Sequence, residues 1–491
     1  MKLSALAAKA GFSLDGDAEV TGFAIDHRKV APGTVFGAFE GAAANGEDFI
    51  PAAVDAGAVA VVARPEAPVD GAIRIADPAP RRAFARLAAK FFTPVPATIV
   101  AVTGTNGKTS TVEMTRQIWR MCGFSAASIG TLGVTTPDES VSTGLTTPDI
   151  VTFLSNATGL AREGVTHLAY EASSHGLSQY RNEGLPVAAG AFTNLSRDHL
   201  DYHADMEAYF AAKMRLFDEV VMAGGTAVVW MDDPRSGAVC EQVRARGLNL
   251  FAVGEQADAD GSGIRLLERI PTELGQDLKV SCQGAEFAVK LPLIGAYQAA
   301  NALVAAGLVI ATAGKDGPTV RQVFDSLSRL QPVRGRLERA AINRAGAPIY
   351  VDYAHTPDAL EAAIFALRPH VGGRLITVFG AGGDRDTGKR GPMGDIVAAH
   401  SDVAIVTDDN PRGEDPADIR RAIIAGAPGT DNMTEIAGRK EAIAAAIGQA
   451  GQGDIVLIAG KGHEQGQIYG RGESMRVHPF DDVTVARECA A

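Results

Sequence analysis

The stretch Thr98–Ser110, T-I-V-A-V-T-G-T-N-G-K-T-S, constrains this chain more than any other. Its apolar run Ile99–Val102 reads as a buried strand. The run ends in a glycine-rich turn, Gly104-Thr105-Asn106-Gly107. Lys108, Thr109 and Ser110 follow, then a helical stretch from Thr111 to about Met121. Strand, glycine loop, Lys-Thr and helix together form a cradle for a polyphosphate, because loop amides and a helix N-terminus turn partial positive charge toward an anion. In such a cradle Lys108 reaches the outer phosphates and the Thr109 hydroxyl ligates Mg2+. The general pattern has Gly five positions before the Gly-Lys pair. Val102 stands there and Gly104 comes later, so this is a tighter T-G-T-N-G-K-T form. A plain glycine-rich strand-to-helix turn is the alternative, and Lys-Thr at the helix start argues against it. ATP with Mg2+ is the expectation, and the rest of the chain must say what the ATP is used for.

At 491 residues the chain has room for about three domains. The net charge of -12 argues against nucleic acid as the main partner. Anionic substrates then need local basic clusters. Cys122, Cys240, Cys282 and Cys489 are scattered without metal-ligand spacing and read as reduced thiols of a cytoplasmic protein. Lys9 interrupts the apolar N-terminal run, which reads as an amphipathic helix rather than a signal peptide. The best apolar stretch, Ala302–Ala313, is about a dozen residues, against the ~20 a bilayer needs.

Residues 1–94 form a first unit of short strands and helices, closed by the helical pattern Pro80–Phe91 and the breaker Thr93-Pro94-Val95-Pro96. Its Asp26-His27-Arg28 reads first as a solvated turn. The second unit, 95–332, sets polar groups after apolar strands. Glu171 follows the strand Val165–Tyr170, His199 follows Ala188–Asn194, and Lys213 lies on a helix. Thr135-Thr136-Pro137-Asp138 and Thr146-Thr147-Pro148-Asp149 are turns. The third unit, 333–491, alternates strands Ile349–Tyr353, Leu375–Phe379, Val403–Thr407 and Ile455–Ala459 with helical patterns, hence a second parallel sheet. Each strand ends in a polar cluster. The expected class is α/β in three domains: a small N-terminal α/β domain, a central P-loop-type ATPase domain and a C-terminal Rossmann-like domain. In such sheets ligands bind at the carboxyl ends of the strands. Glu171 and His199 share that edge with the P-loop and are candidate Mg2+ ligands. Taken singly, a surface carboxylate and a structural histidine are the alternatives.

The ordered set T-G-T-N-G-K-T-S (103–110), Y-E-A-S-S-H-G-L-S-Q-Y-R (170–181), T-N-L-S-R-D-H-L-D-Y-H (193–203), A-A-K-M-R-L-F (211–217), V-D-Y-A-H-T-P-D-A-L (351–360), G-A-G-G-D-R-D-T-G-K-R (380–390), D-N-P-R (409–412) and G-K-G-H-E (460–464) resembles the Mur ligases. These are ATP-dependent amide-forming enzymes of peptidoglycan synthesis. Within the family the set is similar to the branch that adds the third stem-peptide residue to UDP-N-acetylmuramoyl-L-alanyl-D-glutamate. The resemblance implies that the D-Glu carboxylate attacks the ATP γ-phosphate. The incoming amine then displaces phosphate from the acyl phosphate. It implies roles for Gly104–Ser110, with Thr105, Asn106, Gly107 and Lys108 on ATP, and for Asn301, Arg336, Asp352 and His355 on the nucleotide. Arg336 would also neutralise charge on the transferred phosphoryl group. Lys213 matches the family's carbamylated lysine, where CO2 turns a cation into a carboxylate for a second Mg2+. From the residues alone it reads as a helix-surface lysine. Thr146, Thr147, Ser173, Gln179 and Arg181 match positions for the UDP-sugar dipeptide, and Asp26 and Arg28 are uridine-end candidates. There the sequence departs from the pattern at His27 and Ala42-Ala43-Ala44.

Asp409-Asn410-Pro411-Arg412 resembles the meso-diaminopimelate type. Arg412, with Arg390, suits the far carboxylate of that amino acid. Glu464 and Asn410 suit its ammonium, with Asp409, Pro411 and Gly460 alongside. A lysine-adding enzyme has no carboxylate to bind there. The same reaction with L-lysine and a folylpolyglutamate-synthase-like ligase are the nearer alternatives. A P-loop phosphotransferase and a nucleotide-binding scaffold are the more distant ones. The enzyme is expected to be a cytoplasmic monomer acting on small molecules, with closure at a hinge near Leu330–Arg334.

Overall fold

The computed structural model describes every residue except Asp15, 42–43, 137–139, 142–145, Asp201, 258–261 and 273–274. Ala42, Ala43, Pro137, Asp138 and Asp201 of the motifs above therefore lie outside the described residues. The chain divides into two compact units. One comprises Met1–Leu266, Ser281–Glu286 and Asn301–Ser326. The other comprises Leu267–Val280, Phe287–Ala300 and Leu327–Ala491.

The first unit opens with parallel strands β1 (Gly22–Ala24), β2 (Thr34–Gly37), β3 (Ala58–Ala63) and β4 (Ile73–Ala76), in that order across the sheet. Helices α1 (Leu3–Ala10) and α2 (Pro80–Phe91) bury apolar stripes, Leu3 and Leu6 on one and Phe84, Leu87 and Ala88 on the other. Phe84 is fully buried, edge-on to Phe23 and Phe39 with ring centroids 5.4 and 5.5 Å away.

A larger sheet follows in the same unit. Its parallel core is made of β5 (Thr98–Thr103), β6 (Ala126–Gly130), β7 (His167–Glu171), β8 (Val187–Phe192), β9 (Val221–Trp230) and β10 (Asn249–Gly254), within an eleven-stranded sheet. They are parallel, in the order β10-β9-β8-β5-β7-β6. Ile99, Val100, Ala101 and Val102 are fully buried, as a strand covered on both faces requires. Register decides the site. Val102 pairs with Glu171 and Thr103 with Phe192. The loops after β5, β7 and β8 thus leave one edge of the sheet side by side.

Several boundaries differ from the sequence expectation. Helix α3 runs Lys108–Met121, three residues earlier than the apolar pattern implies. Gly107, at φ 85°, ends the loop in the left-handed region, and Thr111 N donates to Gly107 O at 2.9 Å to close the first turn. Strand β7 takes in Glu171 itself. Lys213 lies on α4 (Met206–Arg215), as expected of a helix, but it is buried.

The second unit holds β11 (Glu338–Ile342), β12 (Pro348–Asp352), β13 (Leu375–Phe379), β14 (Val403–Val406), β15 (Met433–Glu435) and β16 (Ile455–Ala459), in the order β11-β12-β16-β13-β14-β15. All pairings are parallel except β11 with β12. Alternate residues face opposite ways along a strand. Leu375 and Phe379 pack with α5 (Pro357–Leu367) and α6 (Arg390–His400). Ile376 and Val378 pack with α7 (Arg439–Gln449) and α8 (Asp482–Ala490). A two-stranded antiparallel ribbon, Gly466–Tyr469 with Arg476–Pro479, follows β16. No helix among the described residues is long and apolar enough to cross a membrane.

Candidate active site

The phosphate loop is held from the neighbouring strand. Thr193 Oγ1 donates to Asn106 O at 2.6 Å and Asn194 Nδ2 to the same oxygen at 3.1 Å. Asn106 N donates to Asn194 Oδ1 at 2.9 Å, and Ser196 N to Thr105 Oγ1 at 3.0 Å. Gly104, at φ 141°, leaves no room for a side chain, since a Cβ there would lie 1.9 Å from Thr193 Oγ1. A Cβ on Gly107 would lie 2.3 Å from Asn301 Oδ1. That contact sets Asn301 against the loop. Lys108 folds back so that Nζ donates to Gly104 O (3.0 Å) and Thr105 O (2.7 Å). Thr109 and Ser110 are buried in the first turn of α3.

Lys213 reaches the same loop from α4. Its Nζ donates to Gly104 O at 2.6 Å and lies 4.3 Å from the Tyr209 ring centre. Burial, reinforced by the nearby Lys108 ammonium, pushes its amine well below the usual lysine range. Glu171 is buried at the end of β7, with Oε1 accepting from Thr131 N at 2.7 Å and Oε2 from Thr131 Oγ1 at 3.2 Å. His199 is exposed, at φ 54°, beside Asp198 (3.3 Å) and 4.9 Å from the His175 ring. Among the described residues, no three His, Cys, Asp or Glu side chains converge on a metal position.

The residues expected on the UDP-dipeptide form one network beside Glu171. Thr147 Oγ1 donates to Glu171 O at 2.8 Å and lies 2.9 Å from Ser173 Oγ. Thr146 Oγ1 lies 3.0 Å from Thr131 Oγ1. Arg181 donates to Thr147 O (2.9 Å) and to Gln179 Oε1 (2.7 Å), and Gln179 donates to the Tyr202 hydroxyl at 3.0 Å. In the N-terminal part, Asp26 caps a short turn and binds Arg28 at 2.7 Å. The guanidinium's hydrogen bonds hold the Asp26 carboxyl down at about 2. His27 stacks on Phe49, with centroids 4.4 Å apart and planes 4° from parallel.

In the second unit Arg336 lies over the Tyr353 ring at 4.7 Å, and its carbonyl accepts from Gln298 at 3.0 Å. Asp352 accepts from Leu337 N (2.7 Å) and Ala354 N (2.9 Å), and burial raises its carboxyl. His355 Nδ1 lies 2.7 Å from Tyr353 O, and burial holds its imidazole below the usual range. The 409–412 loop carries two left-handed residues, Asn410 (φ 43°) and Arg412 (φ 52°). The ribbon pins it: Arg412 N donates to Ile468 O at 3.0 Å and Gly470 N to Arg412 O at 2.7 Å. Arg412 Nη1 donates to Gly383 O at 3.0 Å. Arg390, in the first turn of α6, is buried and pairs with Glu414 at 2.9 Å. Asn410 Nδ2 donates to Glu464 Oε2 at 2.7 Å. Gly460, at φ 122°, packs on Asp409.

Several of these contributors carry no mark in the sequence that singles them out. Thr193, Asn194 and Ser196 stood inside the quoted T-N-L-S motif. Their backbone-directed bonds give no charge signal by which to single them out. Thr131, which orients Glu171, and Lys461, fully buried behind Asn410, were likewise not assigned.

Comparison with known proteins accords with this layout. Residues 19–92 match the family model "Mur ligase family, catalytic domain", 102–309 the "Mur ligase middle domain" and 335–462 the "Mur ligase, glutamate ligase domain". A protein of Zymomonas mobilis subsp. mobilis named UDP-N-acetylmuramoyl-L-alanyl-D-glutamate–2,6-diaminopimelate ligase is 59% identical over 488 residues, covering 99% of this chain and 98% of its own. A Bradyrhizobium diazoefficiens protein of the same name is 53% identical, covering 94% and 93%. A solved structure bearing that name superposes with a TM-score of 0.73 at 32% identity, covering 100% of this chain and 98% of its own. The chain belongs to the Mur ligase family, ATP-dependent ligases that form amide bonds on a three-domain α/β architecture.

Proposed function

We propose that this protein adds meso-diaminopimelate to UDP-N-acetylmuramoyl-L-alanyl-D-glutamate in cytoplasmic peptidoglycan precursor synthesis, with ATP cleaved to ADP and phosphate. The observation that carries this reading is the Asp409–Arg412 loop. It sets an arginine and, through Asn410, the carboxylate of Glu464 in one neighbourhood of the second unit. An amino acid whose far end bears both a carboxylate and an ammonium satisfies both. L-Lysine would leave Arg412 without a counter-charge. The 409–412 motif and the full-length identity to diaminopimelate-adding relatives also favour this reading over a folylpolyglutamate-type ligase.

A carboxylate oxygen of the D-glutamyl residue attacks the γ-phosphorus, and ADP leaves. The amine of diaminopimelate then attacks the acyl carbon, loses a proton and expels phosphate. This chemistry asks for alignment and charge neutralisation. The loop 104–107 and Lys108 hold the phosphates, with Asn301 bracing the loop. Thr146, Thr147, Ser173, Gln179 and Arg181 hold the dipeptide, and Arg336, Asp352 and His355 serve the nucleotide. Asp26 and Arg28 mark the uridine end.

The donor set fits Mg2+, a hard ion that prefers oxygen ligands. Thr109, Glu171, His199 and Lys213 as its carbamate would hold it, and it would offset phosphate charge. The state of Lys213 suits carbamate formation. A neutral amine attacks CO2 and releases one proton, and this amine is driven toward neutrality by burial. Incubation with ATP, the UDP-dipeptide and diaminopimelate should give UDP-tripeptide, ADP and phosphate in equal amounts by mass spectrometry. Release of phosphate without tripeptide would contradict the reading.

A further inference from the structure

Lys461 lies behind the 409–412 loop with no exposed surface. Its Nζ donates to Asn410 Oδ1 at 2.9 Å and to Gly466 O at 2.7 Å, and sits 3.4 Å from Asp409 Oδ1 and 3.8 Å from Glu464 Oε2. Asn410 Oδ1 also accepts from Ile468 N at 3.0 Å. Both acceptor positions on that oxygen are thus taken by protein donors. The amide cannot turn over without setting its NH2 against an ammonium. Its Nδ2 is therefore committed to Glu464, at 2.7 Å.

The charges behind this contact alternate. Asp482 and Arg439 form a fully buried pair at 2.7 and 2.8 Å. Asp409 and Arg439 both border the space beside Gly460. Asp409 then faces Lys461, and Lys461 faces Glu464. Asp482, Arg439, Asp409, Lys461 and Glu464 make a row of alternating sign with one negative charge left over, at the Glu464 end. Despite burial, Arg439 and Lys461 hold the Asp409 carboxyl low, while burial raises that of Glu464. The half-buried Glu464 carboxylate, with one excess charge, is stabilised by an incoming cation.

We infer that Lys461 is a positioning residue for the amino-acid substrate: it locks the Asn410 amide so that Glu464 alone accepts the distal ammonium of diaminopimelate. Asn410 then serves as a brace, its oxygen spent on Lys461 and Ile468, rather than as a direct acceptor. This rests on the diaminopimelate reading above. It goes beyond that reading by assigning the orientation of the Glu464 carboxylate to a buried lysine.

The test measures steady-state kinetics of the full chain for Lys461→Met, Lys461→Gln, Glu464→Gln and the Lys461→Met/Glu464→Gln double variant. KM for diaminopimelate should rise on the order of 10- to 100-fold in Lys461→Met, the scale expected when a buried polar partner is lost. KM for ATP and for the UDP-dipeptide should stay within about twofold of the parent. Lys461→Gln keeps a donor for Asn410 Oδ1 and should recover part of the loss. The double variant should be no worse than Glu464→Gln, because one residue acts through the other. Additive losses, an unchanged diaminopimelate KM, or equal rises for all three substrates would overturn the inference. Loss of the folded state in both Lys461 variants would overturn it too, in favour of a purely structural lysine. If the parent protein itself does not turn over with diaminopimelate, the functional reading fails instead.

Discussion

Lys213 shows how a single residue's burial can be hidden in the sequence. On α4 it stands in M-E-A-Y-F-A-A-K-M-R, where a lysine is ordinarily at the surface. The structure buries it against Tyr209 and the carbonyl of Gly104. That partner is more than a hundred residues away in the chain. No periodicity within one helix reports such a contact. Glu171 was more legible, because it ends an apolar strand whose register sets it beside the end of β5. Burying an amine costs stability, so replacing it with an apolar chain of similar length relieves that cost. Lys213→Met is expected to lower kcat on the order of 10²- to 10³-fold, the scale of losing one group that aligns transition-state charge. Its melting temperature should hold or rise. Steady-state turnover beside calorimetry checks both; a melting temperature well below the parent's would contradict the assignment.

Among the elements, the turn from β5 into α3 was legible down to its glycines, because left-handed backbone and close approach leave few alternatives to Gly. Its partner segment, Thr193–Ser196, was visible as a motif but not as the clamp it forms on Asn106 and Thr105. Gly107→Ala combines a left-handed φ with a Cβ placed 2.3 Å from Asn301 Oδ1. The backbone conformation alone costs roughly 1–2 kcal/mol for a residue with a Cβ. KM for ATP should rise about tenfold or more while KM for diaminopimelate stays near the parent value, as two-substrate kinetics would read. Equal effects on both would place the damage outside the phosphate loop. The ribbon Gly466–Pro479 was missed because its strands are short and largely polar, with no alternation to mark an inward face. Its importance comes from backbone bonds to Arg412, which no side-chain pattern records.

Across the whole chain, repeated strand-helix alternation made the parallel strands of the central and C-terminal sheets readable, while strand order and register came only with the structure. Two histidines tie stability to pH. Burial pushes His167, packed on Trp119 and Phe124, and His463, beside Tyr353, down to about 4. An unfolded chain binds those protons near 6.5. As pH falls from about 6.5 toward about 4 the unfolded state therefore takes up more protons, and stability that is full above this window is progressively lost. Calorimetric melting temperatures should fall across that range, and His167→Phe should flatten part of the slope; a flat parent profile would contradict this. An amide ligase selective for diaminopimelate shows itself in phosphate release from ATP. The UDP-dipeptide is supplied throughout, with meso-diaminopimelate, L-lysine or no amine, for the parent and for Arg412→Ala. Steady release with diaminopimelate far above lysine, and a preference reduced about tenfold or more in Arg412→Ala, is the predicted result. Release favouring lysine, or a preference untouched by Arg412→Ala, would contradict it.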